Sequence, residues 1–269
     1  MSDAAKPVRN MELSVDIDAP LEAVWKALAE GSGVKNWFAP EASLTQPGVG
    51  GELSVAWTPE IAFSTTIAVW EPGRHLRWSN DDMMGPGTRL LVDYYLSTEN
   101  GKTRVRFVQS AFGESEGWDD LFAGSEVGWT YFLYNLRLYV EKHLGHARRM
   151  ISSRFPSGVA RDVAWGKVVS AAAGLVIATG ATLKAGEWVQ LKLDDPATLR
   201  AIVDLVIDGH ALAMRIPDLD DAVLFIEFEG SGQDGFSIGM WLSVYDDGHA
   251  ARIEAPAHRA FERVKAAVR

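Results

Sequence analysis

Several stretches of this 269-residue chain carry residue types at spacings that serve known chemistry. Gly113-Glu114-Ser115-Glu116-Gly117 fits G-x-S-x-G, the pattern of a nucleophilic serine on a strand-to-helix turn. That turn belongs to a parallel sheet with an oxyanion loop, and the strands here read antiparallel. Two glutamates beside Ser115 would also oppose a developing oxyanion, so a polar loop is expected. Gly230-Ser231-Gly232-Gln233-Asp234-Gly235 fits G-x-G-x-x-G, but a dinucleotide fingerprint needs a helix after the glycines. Phe236 to Tyr245 reads as a strand, which makes this a hairpin loop. His143 and His146 stand at i, i+3 near a helix end with no further ligand at matching spacing, and no metal site is expected. Asp218, Asp220 and Asp221 lack calcium-loop spacing and read as turn residues.

The aromatic residues are more informative. The first half holds Trp25, Trp37, Trp57, Trp70, Trp78, Trp118 and Trp129, with Phe63, Tyr94, Tyr95, Phe107 and Phe112. Strand alternation puts Trp57, Trp78, Tyr94, Phe107 and Gln109 on the faces that carry apolar residues. A long helix brings Trp129 and Leu133 to meet them. These seven residues are the expected ligand-binding set, because an aromatic wall with a few hydroxyl, amide and indole groups suits an apolar ligand. The alternative is a solid core filled by the same rings. Glu126 is the one carboxylate with a possible catalytic role: enclosed, it would act as an acid. Its simpler role is a first-turn residue favoured by the helix dipole. His75, Arg77, Arg89, Asp93, Arg104 and Arg106 fall on the opposite strand faces, as ion pairs on a solvated sheet or as a partner surface.

The positioning elements follow from periodicity. Met11 to Asp18 alternates as a half-buried strand, and Asp18-Ala19-Pro20 opens a helix striped by Val24, Trp25 and Leu28. Gly31-Ser32-Gly33 ends it. Strands are expected at Glu52 to Trp57, Ile61 to Trp70, Arg74 to Ser79, Arg89 to Ser97 and Thr103 to Ser110. Short turns join them, Gly85-Pro86-Gly87 and Asn100-Gly101 among them, which favours an antiparallel meander. From Ser125 to about Leu144 the period turns helical through Trp129, Phe132, Leu133, Leu136 and Val140.

The second half echoes the first. Gly186-Glu187-Trp188-Val189 resembles Gly51-Glu52-Leu53-Ser54, and Asp195-Pro196 follows as Thr58-Pro59 does. Gly209-His210-Ala211-Leu212 resembles Gly73-Arg74-His75-Leu76. Ala222 to Glu229 and Phe236 to Tyr245 read as further strands and Ala257 to Val268 as a final short helix, so a diverged duplication is expected. No counterpart of Asp18-Ala19-Pro20 is evident, only an Ala-rich segment around Val163 to Ala173. Ser152-Ser153 and Pro156-Ser157-Gly158 read as linker. The expected domains are 1–150 and 151–269.

Composition narrows the partners. With 26 basic and 36 acidic residues the chain is net −10, and its pI near 5.1 argues against nucleic acid. It has no cysteine, which excludes disulfides, thiolate metal sites and cysteine nucleophiles. The uncharged stretch Val168 to Leu183 is too short to span a bilayer, and the opening residues lack a secretory pattern. A cytoplasmic location is expected, with no cofactor and no membrane span.

Ile17-Asp18-Ala19-Pro20-Leu21-Glu22-Ala23-Val24-Trp25-Lys26-Ala27-Leu28 resembles the opening of START-like (SRPBCC, Bet v 1-type) domains, with Trp37-Phe38 following at the expected distance. Gly128-Trp129, then Leu133 and Leu136, is similar to the closing helix of the activator of Hsp90 ATPase homologue subfamily. The resemblance covers roughly Met11 to Leu144. It implies an α+β helix-grip fold, a curved antiparallel sheet around a long C-terminal helix, here followed by a diverged second START-like half. It also implies a cavity holding a small hydrophobic or aromatic molecule. Other family roles are a co-chaperone-like module with a protein partner, and a cyclase- or hydrolase-type enzyme. Related sequences often carry His where Gln109 stands; Gln bonds a ligand but does not shuttle protons near neutral pH.

Overall fold

The computed structural model describes residues 9–82, 88–112, 116–170, 175–177, 183–193, 198–230 and 235–269. The chain divides into two compact units, Met1–Gly145 and His146–Arg269.

The first unit opens with β1 (Arg9–Ile17), α1 (Leu21–Ala29) and the single turn α2 (Gly31–Val34). Six strands follow: β2 (Glu41–Leu44), β3 (Glu52–Thr58), β4 (Ile61–Glu71), β5 (His75–Asp81), β6 (Arg89–Glu99) and β7 (Lys102–Phe112). The 27-residue α3 (Glu116–Lys142) closes the unit. The sheet is antiparallel in the order β1-β7-β6-β5-β4-β3-β2. Alternation holds along it: Leu76, Trp78, Tyr94 and Phe107 are buried on one face, where α3 brings Trp129, Leu133, Leu136 and Val140. This is the helix-grip arrangement.

The second unit repeats the plan: β8 (Arg149–Pro156), α4 (Arg161–Val168), β9 (Val176–Ile177), β10 (Trp188–Leu191), β11 (Leu199–Ile207), β12 (Ala211–Ile216), β13 (Ala222–Glu229), β14 (Ser237–Val244) and α5 (Asp247–Ala267). Its sheet order, β8-β14-β13-β12-β11-β10-β9, is the first order strand for strand. The irregularities repeat as well. Ile67 bonds Gly50 and Gly51 through its backbone, and Val203 bonds Gly186 and Glu187 in the same way. A register shift follows in each strand, between Ile67 and Val69 and between Val203 and Leu205. Gly73 and Gly209 turn the next hairpin at φ 71° and 70°, a backbone conformation that favours glycine. Bulges and positive-φ turns in matching register are the mark of a duplicated fold.

Four expectations are corrected. Residues 149–156 are a strand rather than a linker: Ile151 and Phe155 face the core, and the strand pairs with β14. A helix does follow it, so β8-α4 is the missing counterpart of β1-α1. The last helix begins at Asp247, not Ala257; Asp246 caps it by accepting from the His249 amide, and Pro256 sits inside it. The internal alignment moves by one residue, since Gly186 matches Gly50 and not Gly51. The Gly85-Pro86-Gly87 turn, Ser115, Ser231 to Asp234, Asp195-Pro196 and the last three residues of the Ala-rich segment, Ala171 to Ala173, lie outside the described residues. Asp218, Asp220 and Asp221 do lie in the β12–β13 turn, the last two at positive φ. Among the described residues no helix is long and apolar enough to cross a membrane.

Candidate functional site

Local packing fixes what reaches the concave face of the first sheet. α1 and α2 approach so closely at Gly33 that a Cβ there would lie 2.4 Å from the Lys26 carbonyl oxygen. This tight join places Trp37 and Phe38 between the helices and the sheet. The Trp37 indole donates to the Ala27 carbonyl at 2.8 Å, and the Asn135 side chain on α3 donates to the Trp37 carbonyl.

The rings then form one connected cluster. Phe107 lies 4.3 Å from Trp129 between centroids, Trp78 4.9 Å from Tyr94, and Tyr94 5.5 Å from Phe107. Phe38 joins both walls: it stacks on Trp129 and meets Trp57 and Phe132 edge-on at 4.9 and 4.6 Å. Such pairs each add about 0.5–1.5 kcal/mol beyond burial. Of the seven expected residues, Trp78, Tyr94, Phe107, Gln109, Trp129 and Leu133 are buried and Trp57 is half-buried. The ring contacts join Trp57, Trp78, Tyr94, Phe107 and Trp129. Gln109 follows Phe107 on the same strand face, and Leu133 lies one turn beyond Trp129. Phe38 and Asn135 were missed. Phe38 lies in a loop, where alternation assigns no face, and Asn135 is a polar residue at a helix position that a stripe of apolar residues does not flag.

Three polar atoms here lack partners among the described residues: the Tyr94 hydroxyl and Gln109 Oε1 on the sheet and Asn135 Oδ1 on α3. Tyr94 is fully buried and Gln109 is 3% exposed. Burial holds the Tyr94 phenol well above its ordinary range, so it stays a hydrogen-bond donor. Each unpaired buried group costs about 1–3 kcal/mol.

Glu126 is exposed, and its backbone carbonyl accepts from Thr130. The enclosure that would make it an acid is missing. His143 is buried and His146 exposed, and among the described residues no group of three or more His, Asp or Glu is placed to hold a metal. An open depression of about 420 Å³ lies at β2-β3-β4, lined by Glu41, Ser43, Ser54, Ala56, Ser64 and neighbours. It contains none of the expected residues.

The other face of the sheet is ionic. Arg106 and Arg104 form two-pronged pairs with Glu12 and Asp16, and Arg89 pairs with Asp81. Asp93 is the exception to a solvated face: at 2% exposed it lies beneath His75 Nε2 at 2.5 Å and Arg77 Nε at 2.7 Å.

Among its described residues, the second copy does not repeat the aromatic wall. In matching register, Trp78, Tyr94, Phe107 and Gln109 become Met214, Ile226, Met240 and Leu242, all aliphatic and all within the core of the second unit.

No curated protein shows significant sequence similarity. The Aha1 dimer from Colwellia psychrerythraea is 23% identical, covering 49% of this chain and 96% of its own, with a TM-score of 0.43. DynU16, from the dynemicin biosynthetic locus, is 19% identical over 97% of this chain and 99% of its own, TM-score 0.43. The di-domain ARO/CYC BexL from the BE-7585A biosynthetic pathway is 14% identical over 96% of this chain and 93% of its own, TM-score 0.46. The family model described as activator of Hsp90 ATPase homolog 1-like protein matches residues 18–141. That span runs from the turn before α1 to the end of α3, so it is the first copy of the fold that resembles the activator of Hsp90 ATPase homolog 1-like family.

Proposed function

We propose that the first copy binds a small apolar or aromatic molecule carrying a hydroxyl, held between its sheet and α3. One observation supports this above the others. The Tyr94 hydroxyl and Gln109 Oε1 are buried without partners in a wall otherwise made of rings. A ligand hydroxyl would accept from one and donate to the other, removing both penalties. The second copy, aliphatic at the same positions, serves the fold rather than the ligand. The Glu126 acid mechanism loses its basis because that carboxylate is exposed. A binding role therefore fits better than an enzyme using that acid.

The test is titration of the full chain with 2-naphthol, followed by calorimetry and tryptophan fluorescence. Saturable binding is expected, weakened at least fivefold by Gln109→Leu, the residue the second copy carries at Leu242. Binding that ignores Gln109→Leu, or no binding at all, overturns the assignment. Mass spectrometry of molecules released from protein purified from its source would then name the natural ligand.

A further inference from the structure

We infer that the Phe38 side chain occupies the ligand's own position, so that the site takes a flat aromatic molecule which must displace that ring from the face of Trp129. This rests on the binding role proposed above and adds what controls it. The residues around Phe38 belong to the permanent walls: Trp57 and Trp78 to strands β3 and β5, Trp129 and Phe132 to α3. Phe38 comes instead from the short connection between α2 and β2, as does its neighbour Trp37, whose ring tilts against it at 5.3 Å.

Its ring lies as a bound ring would. It is parallel to Trp129, with planes 10° apart and centroids 5.3 Å apart. Trp57 and Phe132 close on it edge-on at 79° and 70°, and Trp78 leans over it at 46° and 6.0 Å. One flat wall and several edge walls make a slot for a flat ring. The backbone before it is well tied. The Phe38 amide donates to the Val34 carbonyl at 2.9 Å, Trp37 is held by Ala27 and Asn135, and Asn36 donates to Tyr139 at 3.1 Å. Those bonds fix the backbone at Trp37 and Phe38 and the side chains of Asn36 and Trp37, and leave the Phe38 side chain retained by packing alone. The slot therefore opens by a side-chain rotation, with no strand or helix moved. Trp57, Phe63 and Phe132 are only half-buried, which puts the mouth of the slot on their side.

A protein whose binding-competent state is a minor population shows an affinity reduced by that fraction. Removing the internal ring should restore it. In calorimetric titrations of the full chain, Phe38→Ala is expected to bind 2-naphthol at least tenfold more tightly than the parent. Equal or weaker binding by a folded Phe38→Ala protein overturns the inference, while saturable binding by the parent leaves the binding role standing. No binding by either protein overturns both. A crystal structure of the unaltered chain with 2-naphthol decides independently should the variant fail to fold. A naphthol ring on Trp129 with Phe38 rotated away supports the inference. Phe38 still on Trp129, with naphthol elsewhere, overturns it.

Discussion

Trp78 and Met214 occupy the same place in two copies of one sheet: Trp78 pairs with Ile67 just before a bulge, and Met214 pairs with Val203 just before its equivalent. The backbone has been kept and the chemistry of its concave face has diverged. Both side chains are buried, so neither difference follows from exposure. Truncating Met214 should act on stability alone. Met214→Ala removes core volume and is expected to cost about 2–5 kcal/mol in chemical denaturation. Its affinity for 2-naphthol should stay within twofold of the parent. A large loss of affinity in a folded Met214→Ala protein would place the site in the wrong copy.

Tyr94 makes the opposite case. Its hydroxyl is buried without a partner, so removing the oxygen removes a penalty from the unliganded protein. Tyr94→Phe should leave stability unchanged or raise it by about 1 kcal/mol. The same change should weaken 2-naphthol about five- to tenfold, one hydrogen bond's worth. Gain in stability with loss of affinity separates a ligand group from a core group. A variant that loses both would mean that Tyr94 serves packing instead.

The fold was legible wherever alternation was long. Strands of seven or more residues in the first unit, such as Arg89–Glu99, are bounded by turns and show their buried face directly. The short β2, Glu41–Leu44, offers too few residues for a period to register. Residues 149–156 hid for another reason: Ser153 stands at a core-facing position between Ile151 and Phe155, which broke the apolar pattern. Pro256 hid the start of α5, because proline ordinarily ends a helix and here lies within one. The site was legible for residues on strands and on the helix stripe. Phe38 was not, since its position depends on the close approach of α1 and α2 at Gly33, a tertiary fact.

Glu227 supplies a pH dependence. As a residue it is only partly shielded, but its carboxyl lies deep, and burial raises its pKa from 4.5 to about 8. Glu229 adds to the rise and Arg154 opposes it. A folded value above the unfolded one means that the folded state holds the proton more tightly. The resulting stabilisation is fully present below about pH 4.5 and is lost as pH rises through 8. Denaturant midpoints should therefore fall between pH 5 and 9, the range set by that shift. Glu227→Gln, which cannot ionise, should flatten the decline and exceed the parent at pH 9. Parallel profiles for the two proteins would remove Glu227 as the cause.

The outward face of the first sheet allows a test by transplantation. Asp93 is buried beneath His75 and Arg77, and the positions in matching register in the second copy are Phe225, Ala211 and Ala213. Removing one member of a buried ion cluster leaves its partners uncompensated, whereas replacing the whole cluster with apolar residues is often neutral. Asp93→Ala should therefore cost about 2–3 kcal/mol, less than a fully enclosed pair because Arg77 is one-third exposed. The triple change His75→Ala, Arg77→Ala and Asp93→Phe should cost less than Asp93→Ala alone, since it installs a set of side chains that this sheet register already carries once. Chemical denaturation of the two variants checks the order. If the triple variant is the less stable, the ion cluster contributes more than charge compensation, and the two faces are not interchangeable despite their shared register.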